Sequence, residues 1–156
     1  MAEEIYSPQE ALPRIKALLA EGKSCRLVVT GNSMLPFLRH GSDAVIITAF
    51  TPPVRKNEIL FYCRADGRCV LHRVHRFTTD RIPLLCGDAQ SALEPIDPAQ
   101  IVARVTHIEK NGRIKSCRAI GLRLRVWVWQ RLRRFRPRLL KTMLSLRRKC
   151  KRKASK

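Results

Sequence analysis

Three side chains in this sequence have the types and settings for nucleophilic chemistry: Ser33, His72 and Asp88. Ser33 follows a short β-type run and sits in Thr30-Gly31-Asn32-Ser33-Met34-Leu35-Pro36, a turn whose glycine allows another backbone to approach. A serine hydroxyl is a poor nucleophile alone, so Ser33 matters only with a base in reach and is otherwise part of a capped turn. His72 lies in Cys69-Val70-Leu71-His72-Arg73-Val74-His75-Arg76. Strand alternation puts Val70, His72 and Val74 on one face and Leu71, Arg73 and His75 on the other. An imidazole suits general-base work when a carboxylate orients its second nitrogen; on an apolar face it is otherwise a structural histidine. Asp88, in Gly87-Asp88-Ala89-Gln90, follows the next β-type run and is either that carboxylate or a turn former.

Those segments are far apart in the chain, so the elements between them must bring them together. Ser7-Pro8-Gln9-Glu10 combines a capping box with a proline at the first helical position. Ala11, Leu12, Ile15, Leu18 and Leu19 then recur at helical spacing, which predicts a helix over 8–21. Short β-type runs follow: 25–30, 44–48, 58–63, 69–77, 82–86 and 101–108, with Asn111-Gly112 as a hairpin turn before 114–119. Asp66-Gly67 turns the third run into the fourth, and Thr51-Pro52-Pro53 is a loop because proline is excluded from central strands. The expected fold is therefore mostly β, an antiparallel sheet or open barrel with one helix before it. From Leu122 onward apolar residues fall at 122, 126, 129, 132, 135, 139, 143 and 146 with a period near 3.6, predicting amphipathic helix broken or kinked at Pro137. Residues 122–126 also alternate as a strand would.

Taken in order, the Gly-x-Ser-Met-x-Pro segment at 31–36, the basic-to-apolar run 54–62, His72-Arg73-Val74 and Gly87-Asp88-Ala89-Gln90 resemble the signal peptidase and LexA superfamily of serine peptidases. The sequence looks most like the endoplasmic reticulum, archaeal and SipW-type signal peptidases, which carry His where other members carry a Lys base. The resemblance covers about residues 25–110 and implies a fold of that superfamily and a Ser-His-Asp arrangement. In it Ser33 is the nucleophile, His72 the base and Asp88 the orienting acid, with Glu94, six residues on, as the alternative acid. Met34 would pack beneath the serine turn and Pro36 would rigidify its exit. The chain departs from the family in having Asn57-Glu58 where Gly-Asp is usual, and Gly31-Asn32 where signal peptidases carry Ser-Gly. Backbone amides near Ser33, with the Asn32 amide, must then bind the oxyanion. The implied activity is limited cleavage of a leader, signal or other peptide segment, with no metal and no cofactor.

The 156 residues carry a net charge of +20, unevenly spread: residues 1–112 hold all 12 acids and 14 bases, residues 113–156 the other 18 bases and no acid. The expected organisation is an N-terminal helix over 1–24, a peptidase-like β domain over 25–119 and a basic amphipathic tail over 120–156. A cationic tail with Trp127, Trp129, Arg131, Arg133 and Arg134 beside an apolar stripe suits an anionic membrane surface, with nucleic acid as the second choice on charge alone. Packing of 122–132 onto the β domain is equally expected. Two function classes follow: a serine endopeptidase, or a non-catalytic basic adaptor acting through the tail. No signal-peptide pattern and no apolar run of about 20 residues is present. The expectation is a cytoplasmic protein, or one on the cytoplasmic face of a membrane. The six cysteines stand singly, without zinc-ligand spacing, and are read as reduced packing thiols. Cys63 and Cys69 flank a hairpin and can meet only if its loop has three residues.

Overall fold

The computed structural model describes residues 11–136 and 138–145. The capping segment 7–10 and the end of the basic tail, 146–156, lie outside the described residues. Helix α1 (Leu12–Ala20) starts at a proline and buries Ile15 and Leu19, one turn apart, on the sheet. It ends where the Gly22 and Lys23 amides turn back to the Leu19 and Leu18 carbonyls. Gly22 holds φ +74°, the left-handed geometry that glycine adopts without steric cost.

Eight strands follow: β1 (Cys25–Val28), β2 (Asp43–Ala49), β3 (Ile59–Cys63), β4 (Cys69–Phe77), β5 (Pro83–Cys86), β6 (Glu94–Pro95), β7 (Ile101–Lys110) and β8 (Arg113–Ser116). They form one antiparallel sheet in the order β1-β2-β7-β3-β4-β5-β6, with β8 also on β7. Long β7 makes this possible: β2 runs along one edge, while β3 and β8 share the other. One face carries α1, Met34, Leu38, Val45, Ile47 and Phe61; the other carries Leu60, Tyr62, Val74, Leu85 and Ile96.

Three turns set the geometry. Asn111 and Gly112 both have positive φ, as a two-residue hairpin needs to match strand twist. In the β3–β4 hairpin the Arg64 amide donates to the Arg68 carbonyl, leaving the three-residue loop 65–67 with Gly67 at φ +79°. That loop length aligns Cys63 with Cys69, which form a disulfide. The expectation of reduced thiols is corrected there; Cys25, Cys86 and Cys117 are free, and Cys150 lies outside the described residues. Asn57, where the resemblance would place a glycine, adopts φ +70°; asparagine is one of the few other residues that tolerate this region.

The strand–helix ambiguity after residue 119 resolves as helix α2 (Ile120–Arg131). Val126 and Trp129 bury against Phe37, with the aromatic rings edge to face at 6.4 Å. Burial is worth about 1.5–3 kcal/mol for each such side chain, enough to hold this face of the helix on the β domain. The helix is interrupted ahead of Pro137 by a tighter turn (Arg133–Phe135), and residues 138–145 are helical again. The tighter turn shifts the helical phase, so Phe135 points outward although periodicity put it in the apolar stripe. Among the described residues, no helix is long and apolar enough to cross a membrane.

Candidate active site

Ser33 stands in a turn pinned from below. The Phe37 and Leu38 amides both donate to the Met34 carbonyl, and Met34 and Leu38 are fully buried. Gly31, at φ +79°, donates its amide to His40 Nδ1 at 3.0 Å. The turn docks on the end of β5: the Ala89 amide donates to the Ser33 carbonyl at 2.7 Å. Gly87 makes the approach possible. A methyl group there would sit 2.7 Å from the Ser33 carbonyl oxygen, closer than a Cβ can approach, and 3.0 Å from Ser33 Cβ. Arg73 pairs with Cys86, so one more step along the same register sets Gly87 opposite His72. The Ser33 turn thus packs on the glycine that this register, carried one step on, sets across from His72. Among the described residues Ser33 Oγ and His72 share no hydrogen bond.

His72 is buried, 3% exposed, on the face predicted from alternation, with Leu60 as its cross-strand neighbour. Its Nδ1 lies 3.0 Å from the Tyr62 hydroxyl, and that hydroxyl donates its single proton to Glu94 at 2.9 Å. With its proton committed, the Tyr62 oxygen can only accept from His72, so Nδ1 carries the ring hydrogen and Nε2 the lone pair. Nε2 has no partner among the described residues and keeps contact with solvent. Arg64 holds Glu94 through two bonds of 2.7 and 2.6 Å, keeping its carboxylate below the usual range. Burial, helped by the Arg64 charge and opposed by the Glu94 and Asp88 carboxylates, lowers the His72 pKa to about 4. The ring is neutral at physiological pH. Burial also raises the Tyr62 hydroxyl well above its ordinary range, so it stays protonated.

Asp88 is fully buried, but its partner is not His72. Arg73 Nε and Nη2 grip it at 2.9 and 2.7 Å, while Arg73 Nη1 donates to the Asn57 carbonyl. Alternation explains the correction: Arg73 and His72 leave β4 on opposite faces, and Asp88 follows the Arg73 face. The carboxylate beside His72 is Glu94, the alternative acid, 3.9 Å from Nδ1 and joined to it through the Tyr62 hydroxyl.

The amides of Ser33 and Met34 donate to no group among the described residues, which leaves two adjacent N–H groups of the Ser33 turn without a protein partner. Asn32 is exposed beside them. No three His, Cys, Asp or Glu residues among those described cluster as a metal site.

The C-terminal segment closes over the loop after β5. Trp129 Nε1 donates to the Asp88 carbonyl at 2.7 Å, and buried Arg136 donates to the Gly87 and Gln90 carbonyls. Arg133 donates to the Ser91 carbonyl, and Gln130 meets His75. Trp129 is therefore a structural contact and not a membrane-facing one, because the stripe 122, 126 and 129 turns inward. Trp127 is exposed with the Arg131 guanidinium 4.8 Å above its ring, and Arg134 is exposed.

Sequence reasoning missed Tyr62, Arg64, Arg73 and the contact role of Gly87. Tyr62 was within reach: a three-residue loop at 65–67 fixes the register, which puts Tyr62 one alternation from Leu60 and on the His72 face. Arg136 carried no signal, since it stands among many arginines.

A family model described as Peptidase S24-like matches residues 1–106. No curated protein and no solved structure matches the chain.

Proposed function

The chain belongs to the Peptidase S24-like family of the serine peptidase superfamily, and from that premise we propose that it is a serine endopeptidase of signal-peptidase type, cutting a leader, signal or other peptide segment. The observation that carries this reading is the setting of His72: a buried, neutral imidazole meets the Tyr62–Glu94 pair at Nδ1, which assigns its proton there, and its Nε2 has no partner among the described residues. That is the state a general base needs. Gly87 brings the Ser33 turn against the strand end that faces it.

In this mechanism His72 Nε2 takes the Ser33 hydroxyl proton as Oγ bonds to the scissile carbonyl carbon. The carbonyl oxygen becomes an oxyanion held by the Ser33 and Met34 amides. Collapse breaks the C–N bond, the leaving amine takes the proton from Nε2, and water releases the acyl group by the reverse sequence. The imidazolium formed in between is stabilised through Tyr62 by the Glu94 carboxylate. The low pKa of free His72 means that burial works against that cation, so this support matters more than at an exposed site. Serine–histidine bonds are often long in unliganded enzymes and tighten on substrate, consistent with the open arrangement here.

A fluorophosphonate probe should label Ser33, and peptide cleavage should fall at least about 10³-fold in Ser33→Ala and His72→Gln. Labelling that persists in a folded Ser33→Ala protein would leave the adaptor reading in its place.

A further inference from the structure

Helix α2 has a second apolar face that the sequence periodicity did not single out. Leu122, Val126 and Trp129 turn inward, yet Ile120, Leu124, Trp127 and Val128 are 83, 60, 52 and 46% exposed. At about 100° per residue these four fall within an arc of roughly 100°, opposite the buried stripe. Arg123 and Arg125, both exposed, border that arc on its two sides, and exposed Arg131 extends it. Beside it, between α2 and the β7–β8 hairpin, runs a cavity of about 1210 Å³ whose lining includes Leu124 and Val128 together with Arg113, Lys115 and Arg125.

We propose that this outward face of α2 docks on an anionic phospholipid bilayer, lying in the plane of the interface. The chemistry selects the partner. Exposed Ile, Leu and Val side chains have nothing to gain from a phosphate backbone in water, whereas the headgroup–acyl boundary takes up an apolar stripe and pairs flanking arginines with phosphates. A second copy of the chain is disfavoured by a net charge of +20 on each molecule. The eighteen bases after residue 112, without one acid, give the whole C-terminal region the sign that an anionic surface attracts. The inward face meanwhile holds the Asp88 carbonyl through Trp129, and Arg136, beyond the tighter turn, holds the Gly87 carbonyl, so the C-terminal segment joins the surface contact to the loop behind Ser33. This inference does not depend on hydrolysis.

The test uses the full-length protein and vesicles of equimolar phosphatidylglycerol and phosphatidylcholine, with pure phosphatidylcholine as the neutral control. Cosedimentation should occur with the anionic vesicles only, and L124E/W127E should weaken it at least tenfold without loss of folding, since both side chains are exposed. Trp127 emission should shift to the blue on binding. Trp127→Phe should abolish the shift, because Trp129 is already buried and hydrogen-bonded. Three outcomes overturn the proposal: L124E/W127E binding as tightly as wild type, which assigns attraction to the basic charge alone; no vesicle binding together with steeply salt-dependent binding to nucleic acid; or self-association without lipid that L124E/W127E removes. A peptide-cleavage assay on L124E/W127E separates this from the catalytic reading: soluble peptide should still be cut.

Discussion

Two arginine–carboxylate pairs flank strand β4, and the same chemistry is put to two uses. Arg73 and Asp88 are 5 and 0% exposed at their side chains and bind each other, with Arg73 also donating to the Asn57 carbonyl and lying 5.4 Å over the Phe37 ring; Arg64 and Glu94 are 29 and 30% exposed and are wired to His72 through Tyr62. The first pair is sealed, so breaking it strands a charge in a medium that cannot solvate it. Water reaches the second, so its geometry can be perturbed at little cost to folding, and the perturbation travels to the imidazole. Burial decides which carboxylate is locked into the fold and which can act on the imidazole.

The largest effect should come from cutting the sealed pair. Asp88→Asn leaves Arg73 buried without its counter-charge and should cost about 3–5 kcal/mol in urea unfolding. Should that variant fail to fold, the paired replacement R73M/D88L supplies the measurement, because it removes both charges and should recover much of the stability. Wild-type stability in Asp88→Asn would erase the contrast between the pairs.

Cutting the open pair should instead appear in catalysis. Glu94→Gln should change stability by no more than about 1 kcal/mol, as a solvent-reachable ion pair does, and Tyr62→Phe by about 1–3 kcal/mol, because it leaves the buried His72 Nδ1–H without its acceptor. Peptide-cleavage kcat should fall roughly ten- to a hundredfold, the range for outer partners that orient a functional imidazole. The pH profile carries the sharper signature. With His72 at about 4, the rate should rise through that region and stay flat above it. Glu94 raises the His72 pKa and Arg64 lowers it, so Glu94→Gln should move the limb to lower pH still. A limb unmoved in Glu94→Gln would uncouple the pair from the base.

The same shift has a consequence for folding. His72 titrates near 6.5 when unfolded and near 4 when folded, so between these values the unfolded chain binds more protons and stability falls with acid. The contribution is fully present above pH 6.5, and about 3 kcal/mol of it is lost by pH 4. Wild-type and His72→Gln unfolding free energies, measured across this window, should converge on the acid side relative to their difference at pH 7.

The smallest effect belongs to His75. It sits at the β4 irregularity between Val74 and Arg76, on the other side of the strand from His72, and touches Gln130 of α2. His75→Gln should cost less than about 1 kcal/mol and leave kcat near wild type, as a solvent-reachable polar contact does. A loss of activity equal to that of His72→Gln would refute the facial assignment.

Much of this protein is legible in its residues because the relevant physics is local. Alternation in 69–77 separates His72 from His75 and Arg73, Asn111-Gly112 demands a two-residue hairpin, and the Ser33, His72 and Gly87-Asp88 segments carry a family resemblance that residues 1–106 share with the Peptidase S24-like model. The helical period after residue 120 also correctly separates Leu122, Val126 and Trp129 from the rest of their turns.

What tertiary structure alone decided are the pairings. Spacing left Asp88 and Glu94 both open as the acid for His72. Which of them lies beside His72 depends on which face of β4 each loop reaches, and that is set by the β5 register and the 65–67 loop, not by either residue's neighbours in sequence. The stripe ending at Trp129 could equally have faced lipid or protein, because an apolar side chain gains from leaving water whichever surface receives it. Only the presence of Phe37 and the Asp88 carbonyl at that place made the β domain the surface that received it, and so turned Ile120, Leu124, Trp127 and Val128 outward.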